Sequence, residues 1–228
     1  MRMSNLFEGS WNSEKRLLVP FFSVSALLLG FAVIANEAMN GSALAFDRYV
    51  MLVFRSSSDN FSHPVGPAWV QEMARDVTSL GSFSVLGILV AVVGGYLVMN
   101  RRWEAVIFAA SSIFGGVLIS SLLKFGFARP RPDLFEPAAR VFTASFPSDH
   151  AAISAVTYMT LASLLKRTLG SPATPNYFMT VAIALTILIG ATRVYLGVHF
   201  PTDVLAGWCI GIAWAVTCST IRMRLHTL

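Results

Sequence analysis

Charge is scarce in this 228-residue chain: Asp, Glu, Lys and Arg make up 13% of it, where soluble globular domains carry about 25%. With 55% hydrophobic residues and a mean hydropathy of +0.64, that deficit excludes a soluble globule and points to a polytopic membrane protein. The formal net charge is +5. Yet the chain has no Lys/Arg-rich block and no aromatic stacking platform, so nucleic acid is excluded as a partner. Cysteine is nearly absent too. Cys209 and Cys218 fall in one apolar run without metal-ligand spacing, which makes them small buried hydrophobes. Repeats and low-complexity tracts are missing, and residues 1–228 read as a single integral membrane domain.

What the sequence has in plenty is long apolar runs. They cover about 17–35, 81–99, 105–123, 151–165, 178–191 and 204–221, and they predict an all-α, polytopic bundle of six transmembrane helices. The first run is longer than a signal-peptide core and is read as an uncleaved helix, although Ala43-Leu44-Ala45 downstream resembles a cleavage motif. The connection from Asn36 to Leu80 is too long for a plain loop. Within it, Ala43–Arg55 and Ala68–Thr78 mix charge with an apolar stripe, which predicts two short amphipathic helices between spans 1 and 2. Gly115-Gly116, and the Gly207 to Gly211 spacing on the Asp203 face, are expected to let helices approach closely. Basic pairs at Lys15-Arg16, Arg101-Arg102 and Lys166-Arg167, with Arg222 and Arg224 near the end, place both termini on the cytoplasmic side.

On that topology two outer-side segments hold nearly all the unusual polar residues. One runs from Lys124 through Arg129-Pro130-Arg131-Pro132 to Phe146-Pro147-Ser148-Asp149-His150, and the other is Thr192 to Asp203. Ionisable groups at membrane-grade segments are costly to desolvate, so they face cavities, pair and mark functional sites. Pro201 suits the first turn of a helix, which puts Asp203 one turn from His199, where a carboxylate holds an imidazole in one tautomer. The plainer alternative is that Asp203 and His199 merely cap the helix and Arg193 snorkels. Three cations, Lys124, Arg131 and Arg193, suit a phosphate. Ser148 and Asp149 precede a helix whose free N–H groups also attract an anion. Two histidines complete a displacement, one attacking phosphorus and one protonating the leaving oxygen. Arg129 and Arg140 read as solvated loop charges or headgroup contacts, and His63 as a surface residue.

These residues resemble the type-2 phosphatidic acid phosphatase superfamily, whose signature is K-x6-R-P, then P-S-G-H, then S-R-x5-H-x3-D. Here the three parts read Lys124 to Arg131-Pro132, Pro147-Ser148-Asp149-His150, and Thr192-Arg193 to His199 to Asp203. The resemblance implies His199 as a nucleophile forming a phosphohistidine, Asp203 as its orienting partner and His150 as general acid. It also implies that Lys124, Arg131, Arg193 and Ser148, with Asp149 beside them, meet the substrate phosphate, with no metal or other cofactor. Thr192 keeps the hydroxyl of the pattern's Ser. Asp149 replaces a Gly, and two opposite effects stay open: support of the His150 imidazolium, or repulsion of phosphate. An Asp there is also similar to some bacterial undecaprenyl-diphosphate phosphatases of the family.

The expected activity is hydrolysis of a membrane lipid phosphate at the outer face, with undecaprenyl diphosphate first among substrates and phosphatidylglycerophosphate or phosphatidic acid next. Transfer of the phosphoryl group to another lipid is the enzymatic alternative, and an anion or lipid transporter the non-enzymatic one. Size and resemblance suggest a bacterial inner membrane.

Overall fold

The computed structural model describes residues 4–56, 63–133, 143–168 and 174–225. Helices account for the architecture: α1 (Ser4–Met39), α2 (Leu44–Val53), α3 (Ala68–Ser79), α4 (Phe83–Met99), α5 (Trp103–Phe127), α6 (Asp149–Thr168), α7 (Thr174–Tyr195) and α8 (Pro201–Leu225). Among the described residues there is no β-strand, only an isolated bridge between Arg55 and Pro64. The two short helices expected between the first two apolar runs are α2 and α3.

Helix α6 is the centre of the bundle, packed by α5, α7 and α8, while α1 covers α8, α4 covers α5, α3 lies on α7 and α2 on α8. Ala151 to Thr157 are all buried. Phe21, Phe22, Leu29, Ile88, Phe114 and Leu122, on the outer helices, are exposed instead. A girdle of that size on a monomer marks contact with something apolar. In a lipid solvent hydrophobicity does not drive helices together, so packing must. The α6–α8 contact shows how: a Cβ on Gly211 would lie 2.5 Å from the Ala152 carbonyl oxygen, and one on Gly207 2.7 Å from that of Ser148. Gly211→Leu should therefore destabilise the bundle by about 1–3 kcal/mol or more, read as a lowered melting temperature in detergent. Gly95→Ala, where an added Cβ meets nothing within 4 Å, should leave it unchanged.

The six-span layout is met in part. Among the described residues, four helical segments are long and apolar enough to cross a membrane, Leu18–Met39, Trp103–Phe127, Asn176–Tyr195 and Pro201–Leu225, or five if α3 and α4, bent by 45°, count as one span. Helix α6 is outside that set. Its Ser154, Thr157 and Thr160 lower its hydropathy and are buried, as suits a helix surrounded by protein. Helix ends also differ from the apolar runs. Helix α1 continues back to Ser4, and α5 runs on to Phe127 and α7 to Tyr195, so Lys124 and Arg193 stand in last helical turns and not in loops.

Candidate functional site

The site gathers at one end of α5, α6, α7 and α8. Helix α5 stops at Ala128, whose φ of 46° is left-handed, and this turn swings Arg129 back under the bundle. Helix α7 ends in Leu196-Gly197-Val198, where Gly197 takes φ +74° and a Cβ would collide with Arg55 Nη2. A short loop then delivers His199 and Phe200 to Pro201, the first residue of α8. Asp203, in the first turn of α8, accepts a hydrogen bond from Phe200 N at 2.9 Å, one half of a capping box. It therefore caps the helix and also faces His199, whose Nδ1 lies 3.4 Å from Asp203 Oδ2. Both readings of the pair hold at once.

His199 is 1% exposed. With Nδ1 turned to a carboxylate, the ring proton of the neutral imidazole belongs on Nδ1, and Nε2 presents its lone pair. That lone pair points to Arg131, whose Nη1 is 3.2 Å from Nε2 and donates to Val198 O at 2.6 Å. Arg131 is fixed from behind by Thr143, donating from Nε to its carbonyl at 2.8 Å and from Nη2 to its hydroxyl at 3.2 Å. Arg193 is 4% exposed and donates from Nη1 to Thr78 Oγ1 of α3 at 3.2 Å. His150 stands within electrostatic reach of Arg193, His199, Lys124 and Arg131, and a Cβ on Gly81 would come 3.3 Å from its ring.

Burial, assisted by the Arg131 and Arg193 charges and opposed by Asp203, pushes the His199 imidazole from the usual 6.5 down to about 4. Because the cation is the disfavoured form, His199 stays neutral at every pH well above that value. Histidine-labelled protein followed by 15N NMR, with the signal assigned by its loss in His199→Gln, should show a neutral ring down to about pH 5. A midpoint at or above 6.5 would mean that the carboxylate outweighs burial.

Two buried polar atoms of the site, Ser148 Oγ and Arg193 Nε, have neither a hydrogen-bond nor an ion-pair partner among the described residues. Lone buried donors cost stability unless something satisfies them. An anion with several acceptor oxygens fits that need. Lys124 is held by Asp149, Nζ to Oδ2 at 2.7 Å, and Ser120 donates to Asp149 Oδ1 at 2.7 Å. The two effects left open for Asp149 meet this geometry: its carboxylate engages the lysine, so it competes for a cation that the sequence reading assigns to phosphate.

All eight residues read from the sequence as site residues, Lys124, Arg131, Ser148, Asp149, His150, Arg193, His199 and Asp203, therefore sit in one cluster. One reading is corrected. Arg129 is no solvated loop charge: it is 6% exposed and joins Asp203 Oδ1 at 2.6 Å to Asp47 Oδ2 at 2.9 Å. Arg140 lies outside the described residues. His63 is exposed, as expected. Sequence reasoning also missed Asp47, Ser145, Thr202 and Thr78. Asp47 alone carried a signal, because it shares the apolar face of α2 with Val50, Met51 and Phe54, and a carboxylate there needs a buried partner.

Residues 104–226, which contain all three motif segments, match the PAP2 superfamily. Phosphatidylglycerophosphatase B of Bacillus subtilis is 33% identical over 147 residues, 63% of this chain and 71% of its own. An undecaprenyl-diphosphatase of Sulfolobus acidocaldarius is 35% identical over 94 residues, 41% of this chain and 40% of its own. The crystal structure of a transmembrane PAP2 type phosphatidylglycerolphosphate phosphatase from Bacillus subtilis superposes with a TM-score of 0.79 at 25% identity, covering 90% of this chain and 98% of that one. With more than half of its length matched to the family and the fold shared across nearly all of it, this chain belongs to the PAP2 superfamily.

Proposed function

We propose that the protein is an integral membrane phosphatase that hydrolyses a lipid phosphate through a phosphohistidine. The observation that carries the reading is the setting of His199: an enclosed imidazole whose Nδ1 faces Asp203 and whose Nε2 faces Arg131, beside buried donors that lack partners. In the first step His199 Nε2 attacks phosphorus and the bond to the leaving oxygen breaks, while His150 donates a proton to that oxygen. Charge gathering on the phosphoryl oxygens is met by Arg131, Arg193 and Ser148, and by Lys124 once the incoming phosphate takes it from Asp149. Asp203 stabilises the imidazole as its ring becomes cationic. In the second step water attacks phosphorus, His150 takes its proton, the N–P bond breaks and inorganic phosphate leaves. Seven of the eight residues then have the roles that the resemblance implies, Asp149 instead holding Lys124 until phosphate arrives, and no step uses a metal.

Phosphatidylglycerophosphate leads the substrates, because a relative 33% identical over 63% of this chain and a solved structure that covers 90% of it are both named for it. Undecaprenyl diphosphate follows, supported by a relative matched over a shorter stretch, 41% of this chain, and by the Asp149 variant of the motif. The deciding assay is phosphate release by purified protein in detergent with EDTA from each of these and from phosphatidic acid. Release from one that survives EDTA supports the reading and ranks the lipids. No release from any sinks it, and a phosphorylated lipid acceptor in place of free phosphate would make the protein a transferase.

The membrane layout that goes with this reading has α1, α4, α5, α6, α7 and α8 as six spans, termini in the cytoplasm and the site at the outer face of a bacterial inner membrane. Its support is the basic pairs at Lys15-Arg16, Arg101-Arg102 and Lys166-Arg167. In a chain freed of Cys209 and Cys218, a cysteine at Arg140 should react with an impermeant maleimide on intact cells and one at Arg102 should not. The reverse pattern would turn the molecule over.

A further inference from the structure

Among the described residues, two of the three buried charged groups outside the eight site residues, Asp47 and Arg129, pair with one another. Asp47 of α2 is 0% exposed, as is Asp203, and Arg129 between them is 6% exposed. Arg129 Nη1 donates to Asp203 Oδ1 at 2.6 Å and to Thr202 Oγ1 at 2.9 Å, and its Nη2 donates to Asp47 Oδ2 at 2.9 Å. Asp47 in turn accepts from Thr202 N at 3.0 Å and from Thr202 Oγ1 at 2.7 Å. The guanidinium stacks 4.2 Å over the Phe200 ring. On the far side, Asp203 Oδ2 accepts from Phe200 N and Ser145 Oγ and faces His199 Nδ1. One carboxylate is thus held on one oxygen by Arg129 and turned with the other to His199.

The charges decide what this arrangement does. A buried Arg129 paired with Asp203 alone would cancel the negative charge that His199 needs when its ring becomes cationic. Asp47 restores it: two carboxylates around one guanidinium carry a net charge of −1, which an imidazolium would complete. A buried cluster one positive charge short is stabilised by the charge that attack on phosphorus creates. We infer that Asp47 and Arg129 are positioning residues that hold Asp203 against His199 without neutralising it, and that α2 is thereby a working part of the site. The inference rests on the phosphohistidine reading above.

The test is a double-mutant cycle on kcat and KM, using the lipid phosphate that the wild type hydrolyses. Asp47→Asn keeps the shape and removes the charge, so kcat should fall about tenfold to 100-fold, the usual scale for a group that orients a reacting histidine from behind. KM should change little, because Asp47 does not meet the phosphate. In an Asp203→Asn background the same substitution should cost less than about threefold, since its effect passes through the Asp203 charge. A full multiplicative loss on top of Asp203→Asn would overturn the inference in favour of a purely structural role, and so would a wild-type kcat in Asp47→Asn. If Asp47→Asn does not fold, Arg129→Lys, which keeps the cation and loses the fork, carries the same cycle with the same two outcomes. A wild type inactive on every lipid phosphate would remove the reading beneath it, and the inference with it. An active wild type with an unaffected Asp47→Asn would remove the inference alone.

Discussion

Replacing His199 by alanine should lower lipid-phosphate hydrolysis by on the order of 10^4- to 10^6-fold, the scale lost when the nucleophile of a covalent mechanism is removed. The geometry makes the loss specific to chemistry. His199 is enclosed, and its Nε2 is 3.2 Å from Arg131 Nη1, so the alanine leaves Arg131, Arg193, Lys124 and Ser148 able to hold phosphate. KM or the dissociation constant should then move far less than kcat. Wild-type protein incubated with 32P-labelled substrate and quenched in alkaline detergent should carry an acid-labile, base-stable label, and His199→Ala should carry none. A mutant that keeps a tenth of the wild-type rate, or a label that survives the substitution, would hand the nucleophile to another residue. Equal losses in kcat and in substrate affinity would instead point to a binding role for His199.

Changing His150 to alanine should have an effect that depends on the leaving group. General acid catalysis contributes about 10^2- to 10^4-fold, and the need for it grows with the basicity of the departing oxygen. An alkyl phosphate monoester leaves as a strongly basic alkoxide unless protonated, so phosphatidylglycerophosphate should lose that full range. Nitrophenolate, and the lipid monophosphate that departs from a diphosphate, leave readily without a proton. With p-nitrophenyl phosphate the first turnover should slow by about tenfold or less. Later turnovers should slow more, since the same His150 also takes the proton from water, and the result is a burst of nitrophenolate followed by a slow phase. A diphosphate lipid should resemble the nitrophenyl ester in its first step. Losses of equal size on both leaving groups would mean that His150 positions phosphate and protonates nothing.

The candidate site was legible in the sequence because it is written as local spacing. His199 and Asp203 are four residues apart across a helix start, and Pro201 with the Asp203 carboxylate defines that start whatever surrounds it. Lys124 and Arg131, and Ser148 and His150, likewise sit at fixed short intervals at helix ends. The all-helical class followed from composition, since apolar runs of this length satisfy their backbone hydrogen bonds internally. The span count was less legible. Helix α6 takes its buried Ser154, Thr157 and Thr160 from a position inside the bundle, which hydropathy along one chain cannot register. Nor did the ends of apolar runs mark the ends of helices, because α5 and α7 carry Lys124 and Arg193 into a protein interior that supplies partners for them.

The sequence by itself determined the helices, the three motif segments and the charge types assembled at one end, because each depends on neighbours within a turn or two. Only the tertiary structure decided that Asp149 holds Lys124, 25 residues away in the chain, and that Asp47 of α2 reaches Asp203 through Arg129. Charges far apart in sequence find one another only where desolvation makes an unpaired partner too costly. That cost is set by packing, and packing exists only once the helices have met.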